Sequence, residues 1–455
     1  MKLKNNIKKF KSEYDQVAKI LFLMLVILVI FTRPFPHNAN DQSRIATIES
    51  LVERNTWVID ESHFGQLTVD KVIYQGNLYS SKPAVLTIMG TGVYTVLHDF
   101  FNLDFHSATK RNAYYWLTLF IIGGSTLILL WYFFLSTRWL EIKPIHRLYL
   151  TLILGLGTFY LPYSTTFNNH TIAGALLFIG FYYYLKQKHN EGKKSLNLFL
   201  SGLFVSWAAV IDIPLGGIFL LVFFVMYLHQ TRKIKDILFY VVGSTPFLLS
   251  QIIINYKLFK SFFHLHIDSR TIEFVDYWAN PRGIDTLHQN KFEYLFHILL
   301  GTHGLLLYTP ILILSFIVVF KIILYKKHKY WHEALLVLIG FIILTTFYVV
   351  KTGNFGGTSY GFRYYIGLAP FLIFFLAFLF EPPYWNQYKR IILYLFIVSF
   401  IFSAVGVIEV YNCPPYKAIG VGEYVFFPLL GNLSLFYELI KFQFIKLILL
   451  SYYYL

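Results

Sequence analysis

A series of long apolar runs constrains the fold of this chain more than any other feature. Each run approaches the roughly 20 residues that a helix needs to cross a bilayer, and the clearest cover 20–32, 117–135, 218–228, 311–320 and 335–350. Lipid cannot satisfy backbone amides, so spanning segments are helices or closed barrels, and runs without strict alternation indicate helices. With mean hydropathy +0.55 and 14% charged residues, the sequence predicts an all-α, multi-pass transmembrane bundle.

The distribution of lysine and arginine predicts the topology. Every second connection between apolar runs is short and basic, which is typical of cytoplasmic loops. The pattern predicts about eleven spans in residues 1–410, a cytoplasmic N-terminus and a first long loop, 33–111, on the outer side with membrane-surface helices. Residues 411–455 are predicted to form a short tail, either an interfacial helix or a twelfth span. The net charge of +15 is assigned to these cytoplasmic loops, so no nucleic-acid partner is expected.

Polar residues collect on the predicted outer side, where ionisable groups near membrane depth are usually functional. Asp41 and Arg44 are three residues apart and share one face of a helix whose apolar stripe predicts that it lies on the membrane surface. Asp41 is either a general base for an acceptor hydroxyl or the N-cap of this helix. Asp60 lies in the same loop and is the next candidate carboxylate.

Two further segments carry groups suited to a phosphate. Lys82 precedes Pro83 and a predicted helix, so it is either a phosphate ligand at a helix N-terminus or a lysine at the headgroup boundary. The segment 351–363 contains four glycines and ends in Tyr360 and Arg363, which offer a hydroxyl and a planar guanidinium. Its alternative interpretation is a flexible glycine-rich turn.

Four more polar residues complete the set of candidate substrate-binding residues. Asn169 and His170 open the fourth span, Asp212 lies between the fifth and sixth spans, and His303 lies between two glycines. His170 is otherwise a proton carrier, a metal ligand or, with Asn169, a polar contact. The alternative interpretation of Asp212 is a helix cap, and that of His303 is close helix packing. The single cysteine and the absence of ligand-spaced histidines predict no metal site.

These motifs resemble a known loop. Asp41-x-x-Arg44, the segment Glu53-Arg54-Asn55-Thr56-Trp57 and the later Tyr79-Ser-Ser-Lys82-Pro83 resemble the first outer loop of GT-C membrane glycosyltransferases. The resemblance is to glycosyltransferase family 39, which includes protein O-mannosyltransferases and lipid A aminoarabinose transferases. It covers about residues 40–97 and implies that Asp41 is the catalytic carboxylate and that Lys82 contacts the donor phosphate. Arg44 matches a basic residue found at that offset in some members.

The chain departs from the family pattern at three positions. Gln42 stands where an acidic residue is common, Ala84 where a second proline is common, and Ser81 where some aminoarabinose transferases have an acidic metal ligand. The resemblance therefore names no certain cofactor and leaves the need for a divalent metal open.

The resemblance implies an inverting glycosyltransferase of the plasma membrane. Its donor would be a sugar on a polyprenyl phosphate, and its acceptor a lipid, glycan or protein on the outer face. Arg44, Lys82 and Arg363 would stabilise the leaving phosphate. The alternatives are a transporter or flippase and a polymerase of lipid-linked glycans.

Overall fold

The structure, a computed structural model, describes residues 2–453 except 107–110, 231–232, 264–272, 275–276, 278–284, 286–288, 383, 415 and 418–423. The described residues are mostly helical. In chain order the helices are α1 (Lys2–Phe31), α2 (Ala39–Glu53), α3 (His63–Leu67), α4 (Ala84–Phe101), α5 (Ala113–Thr118), α6 (Gly124–Ser136), α7 (Pro144–Leu156), α8 (Tyr160–Tyr163), α9 (Asn169–Lys188), α10 (Lys194–Ile211), α11 (Ile213–Gln230), α12 (Ile234–Phe259), α13 (Lys291–Leu299), α14 (Leu305–Tyr308), α15 (Leu312–Leu324), α16 (Trp331–Lys351), α17 (Ala369–Leu376), α18 (Tyr384–Ile408) and α19 (Pro428–Tyr453).

Short elements join and extend these helices. A π-helical turn, Leu119–Gly123, makes α5 and α6 continuous, and 3₁₀ turns cover Thr137–Trp139, Arg363–Leu368 and Ala377–Phe380. The strands are β1 (Lys71–Tyr74), β2 (Asn77–Ser80), β3 (Glu273–Phe274), β4 (Tyr416–Lys417) and β5 (Tyr424–Val425). β1 pairs antiparallel with β2 and with β3, and β4 pairs with β5.

The helices agree with the predicted membrane fold. Within the described residues nine helical segments are long and apolar enough to cross a membrane. Eight of them, together with the shorter α7 and α15 and the more polar α9, cover the eleven predicted spans. The ninth is α4, which belongs to the first long loop. The protein is therefore an all-α, multi-pass membrane bundle.

The centre of the bundle is formed by α9 and the helical segment 363–380. Nearly every side chain of both is buried, which is typical of helices that are covered on all sides. They meet at Gly174 and Gly367, where a Cβ on Gly174 would lie 2.6 Å from the Cα of Gly367. Small residues allow this close approach. The contact brings the start of α9 close to the start of the segment that begins with Arg363.

The first long loop forms a layer over one end of the bundle. Before α4, Ser80 Oγ lies 2.7 Å from Ser43 Oγ of α2, and after α4, the amide of Ala113 donates to the carbonyl of Asp104 at 3.0 Å. The segment before α4 is therefore bound to α2, and the segment after α4 is bound to the start of α5. This arrangement places α4 in the surface layer, despite its length.

The apolar stripe of the Arg44 helix predicts one buried face, whereas the structure buries more of the helix than that face. Residues 43–50 of α2 are buried without interruption, because α4, α3 and the β1–β2 hairpin pack around it. The helix is an internal element of the layer. It therefore holds its charged side chains inside the protein.

Candidate active site

Asp41 lies in the first turn of α2 and is completely buried. The helix is capped by Asn38, whose Oδ1 accepts the amide hydrogen of Asp41 at 3.0 Å. The interpretation of Asp41 as the N-cap is therefore wrong. Its Oδ2 accepts hydrogen bonds from the hydroxyls of Tyr114 (3.2 Å) and Thr166 (3.3 Å). Within the described residues Oδ1 has no hydrogen-bond partner. Tyr114 and Thr166 therefore orient one carboxyl oxygen, and the other oxygen can accept a hydrogen bond from a ligand.

Burial sets the protonation of this carboxyl group. Removal from water disfavours the charged form and raises the pKa of Asp41 to about 7, although Asn38, Arg44, Tyr114 and Arg363 act in the opposite direction. A carboxyl group with a pKa near neutrality can accept a proton and release it again under physiological conditions. Asp41 is therefore able to exchange a proton near neutral pH.

Arg44 is also buried, with an exposed fraction of 1%. Its Nη1 donates a long hydrogen bond of 3.4 Å to the carbonyl of Asn40, and its Nε has no partner within the described residues. Burial lowers the pKa of Arg44 to about 10, while Asp41 and Asp70 oppose this shift. The guanidinium is still charged at neutral pH and has unused donors. A buried cation of this kind is suited to an anionic ligand.

Lys82 pairs with Asp70, an acidic residue of the same loop. The distance from Nζ to Oδ2 is 2.8 Å, and both side chains are 14% exposed. Burial lowers the pKa of Lys82, and Asp70 opposes that shift. At the N-terminus of α4 the amide of Ala84 is already used, because it donates to Oε1 of Gln251 at 3.2 Å. The ammonium group of Lys82 is the charged feature of this segment that is suited to phosphate.

Arg363 lies between two tyrosine rings. Its guanidinium is 5.3 Å from the ring centre of Tyr411 and 5.5 Å from that of Tyr364. Its Nε is buried without a partner within the described residues. The charge of Arg363 acts on both Asp41 and Lys82. The structure thus brings Asp41, Arg44, Lys82 and Arg363 together, and we call these four residues the charged centre.

His170 and Asp212 form a buried pair beside the charged centre. Nδ1 of His170 lies 2.6 Å from Oδ2 of Asp212, and Asn169 contacts the same ring nitrogen at 3.4 Å. The charges of Arg363 and Arg44 both act on His170. These three sequence candidates therefore lie close to the charged centre.

The structure does not bring Asp60, Tyr360 or His303 to the charged centre. Oδ2 of Asp60 accepts the amide hydrogen of Leu78 and so holds the β1–β2 hairpin. The hydroxyl of Tyr360 donates to the carbonyl of Phe402 in α18 at 2.6 Å. His303 stacks on Phe355 with ring centres 4.3 Å apart. Each of these side chains has a structural partner elsewhere.

Five residues of this site were not among the sequence candidates. They are Asp70, Tyr114, Thr166, Tyr364 and Tyr411. Asp70 had a local signal, since it is the acidic residue beside Lys71 in the loop that carries Lys82. Single tyrosines and a threonine in a chain with 35 tyrosines carry no pattern that distinguishes them.

The charges at the site favour an anion. Asp41, Asp70 and Asp212 face Arg44, Lys82 and Arg363, so the net charge becomes positive when Asp41 is protonated. Within the described ranges no three His, Cys, Asp or Glu residues are grouped to hold a metal ion. Ser81 has its hydroxyl buried without a described partner, where the family resemblance implies an acidic metal ligand. This donor set does not fit a protein-held metal.

The comparisons with known proteins bear on the fold. No protein-family model matches the sequence, and no curated protein sequence matches it. The structure is similar to the crystal structure of ArnT from Cupriavidus metallidurans in the apo state, with a TM-score of 0.53 and 12% identity over 83% of this chain and 62% of that chain. The chain therefore shares the fold of ArnT.

A second structure of ArnT gives the same result. ArnT from Cupriavidus metallidurans bound to undecaprenyl phosphate matches with a TM-score of 0.52 and 13% identity over 86% of this chain and 65% of that chain. The present chain therefore spans less than two thirds of the length of either ArnT chain. The likeness to ArnT supports the GT-C class that the first-loop motifs resemble.

Proposed function

We propose that the protein is a membrane glycosyltransferase that moves a sugar from a polyprenyl-phosphate donor to an acceptor hydroxyl. The observation that carries this proposal is the charged centre, in which a buried carboxyl group meets three cations at one end of a GT-C fold. Support also comes from the unused polar atoms there, Asp41 Oδ1, Arg44 Nε and Arg363 Nε. Buried polar atoms usually have partners, so these atoms are suited to a bound ligand.

The charges divide the site into two parts. Arg44, Lys82 and Arg363 hold the phosphate of the donor, a group that the undecaprenyl phosphate bound to ArnT also carries. Asp41 presents its free Oδ1 to the acceptor, while Tyr114 and Thr166 fix its other oxygen. The acceptor is a lipid, glycan or protein that carries a hydroxyl group.

The transfer then follows in one displacement. Asp41 takes the proton of the acceptor hydroxyl, and the resulting oxygen forms a bond to the anomeric carbon of the donor. The bond between that carbon and the phosphate oxygen breaks, and its electron pair leaves with the polyprenyl phosphate. The three cations stabilise this developing charge, which is usually the largest contribution to such catalysis. Attack opposite the leaving group inverts the anomeric carbon.

A transfer assay with the purified protein tests the proposal. Undecaprenyl phosphates that carry different sugars are supplied with membrane lipids and envelope glycans as acceptors, and released undecaprenyl phosphate is measured. Sugar-dependent release supports a transferase. Movement of the lipid-linked sugar across reconstituted vesicles without any transfer would instead favour a transporter.

We further propose that the charged centre faces the outside of the plasma membrane, with the N-terminus in the cytoplasm. The support is the positive-inside rule, because the connections at the opposite end of the bundle are basic. In a Cys413→Ser background, Thr358→Cys is expected to react with a membrane-impermeant thiol reagent in intact cells, and Lys326→Cys only after permeabilisation. The opposite labelling pattern would place the site in the cytoplasm.

Two neighbouring glycines provide a matched test of Arg363. Gly356 and Gly357 have φ values of +82° and +81°, so alanine strains the backbone equally at both positions. A Cβ at Gly356 would lie 3.2 Å from Nε of Arg363, whereas a Cβ at Gly357 meets no atom within 4 Å. The same Cβ would lie 3.2 Å from the ring of Tyr364, which packs on this guanidinium. Gly356→Ala is therefore expected to weaken undecaprenyl phosphate binding about tenfold more than Gly357→Ala, measured by titration in detergent. Equal affinities would count against a contact between Arg363 and the phosphate.

A further inference from the structure

The His170–Asp212 pair is the part of the site that the transfer reaction above does not use. Its two side chains are only 4% and 3% exposed, and they come from the first turn of α9 and from the connection between α10 and α11. Burial of an ionisable pair is costly and does little for stability compared with apolar packing. A buried pair beside a catalytic site is therefore better explained by a contact with substrate than by folding.

Tyr364 connects the His170–Asp212 pair to Arg363. Its ring lies edge-on to His170, with ring centres 5.1 Å apart, and the same ring contacts the guanidinium of Arg363. His170 and Arg363 are therefore neighbours across one tyrosine. Arg44 is the second cation whose charge acts on His170. The imidazole lies beside the two guanidinium groups that are proposed to hold the donor phosphate.

The geometry decides what this imidazole can recognise. Asp212 accepts the hydrogen of Nδ1, and in a neutral imidazole whose proton is on Nδ1 the other nitrogen, Nε2, carries a lone pair. Within the described residues the hydrogen bonds given for this ring, to Asp212 and Asn169, are both made by Nδ1. A phosphodiester has no proton to donate to Nε2, whereas a sugar hydroxyl has one. The phosphate of the donor carries two groups, the prenyl chain and the sugar, and only the sugar has hydroxyl groups that can donate to Nε2.

We propose that His170, oriented by Asp212, accepts a hydrogen bond from a hydroxyl group of the donor sugar and so selects the sugar. This inference rests on the proposed function and adds a sugar-recognition residue to it. His170 binds the donor, Asp212 positions the ring, and Asp41 remains the base for the acceptor.

Binding measurements on the full-length protein in detergent test this role. The probes are bare undecaprenyl phosphate, its glucose, galactose, mannose and arabinose esters, and the monodeoxy forms of each ester. For the wild type, loss of the recognised hydroxyl from a bound ester is expected to weaken binding about tenfold, the value of one well-formed hydrogen bond. In His170→Ala the same deoxy ester and its parent are expected to bind equally, while bare undecaprenyl phosphate binds as it does to the wild type.

Two matched variants separate recognition from folding. Glutamine at 170 places a carbonyl oxygen near the position of Nε2, so His170→Gln is expected to retain a preference for the hydroxyl. Asp212→Asn donates to Nδ1 and moves the ring proton to Nε2, so it is expected to remove that preference.

The outcomes distinguish this inference from the proposed function. If all monodeoxy esters bind the wild type as well as their parents, or if the deoxy penalty persists in His170→Ala and Asp212→Asn, the role of His170 is wrong and the transferase proposal stands. If the wild type binds neither bare undecaprenyl phosphate nor any ester, the proposed function fails, and the sugar-recognition role fails with it.

Discussion

Asp41→Asn is expected to lower the rate of sugar transfer by about 10²–10⁴-fold, the usual contribution of a general base. Asparagine has the shape of aspartate and can still accept hydrogen bonds from Tyr114 and Thr166 through its one carbonyl oxygen. It cannot take a proton from the acceptor hydroxyl. Binding of undecaprenyl phosphate should stay within a few-fold of the wild type, because the three cations remain. The measurement compares transfer and lipid binding on the same purified sample.

The pH dependence of the same pair of proteins gives a second readout. The base works only when it is deprotonated, so wild-type kcat/KM should rise with pH through about 7, the pKa to which burial raises Asp41. The folded-state pKa is above the ordinary value of 3.8, so the folded protein binds this proton more tightly than the unfolded chain. Stability from this group is therefore present below about pH 4 and is lost as the pH rises through about 7.

Asp41→Asn removes this loss of stability, because the amide does not ionise. The variant should therefore melt at a higher temperature than the wild type at pH 8, with a smaller difference at pH 6. The control is Asp60→Asn, whose carboxylate holds the β1–β2 hairpin through Leu78 and should not affect the pH profile of transfer. A wild-type transfer rate in Asp41→Asn would mean that another group is the base.

The sequence was sufficient to predict the membrane fold, because the apolar runs report directly on burial in lipid. It was less informative about α2 and α4, which are similar in composition to spanning or surface helices. Their positions depend on contacts such as Ser43 with Ser80 and Ala84 with Gln251, and these contacts join residues far apart in the chain. No local pattern carries this information.

The candidate site shows the same difference between local motifs, which the sequence reveals, and tertiary contacts, which it does not. Asp41 and Lys82 were predicted because short motifs around them resemble a known loop. Tyr411 was missed because its role arises from contact with Arg363 across about fifty residues of sequence. Tyr360 was chosen from the same segment as Arg363, but the backbone turns it toward Phe402 in α18. Whether a side chain of this segment points toward the charged centre depends on the backbone conformation, and amino-acid composition does not determine that conformation.

The second large effect is expected for Lys82→Ala. Removal of one preorganised cation from the leaving phosphate should lower kcat/KM by about 10²–10³-fold. Because the phosphate is charged before the reaction as well as during it, donor binding should weaken together with turnover. This combination differs from Asp41→Asn, in which turnover falls and donor binding is retained.

The ion pair with Asp70 complicates this variant, because Lys82→Ala leaves a largely buried carboxylate without its partner at 2.8 Å. Loss of one partner of such a pair destabilises a protein, and a loss of activity could then reflect misfolding. The double variant Lys82→Ala/Asp70→Asn removes the unpaired charge and should recover the melting temperature without recovering transfer. Asp70→Asn alone frees the ammonium group and should retain donor binding. If the double variant transfers sugar at the wild-type rate, Lys82 is a structural partner of Asp70 and Arg44 and Arg363 alone hold the phosphate.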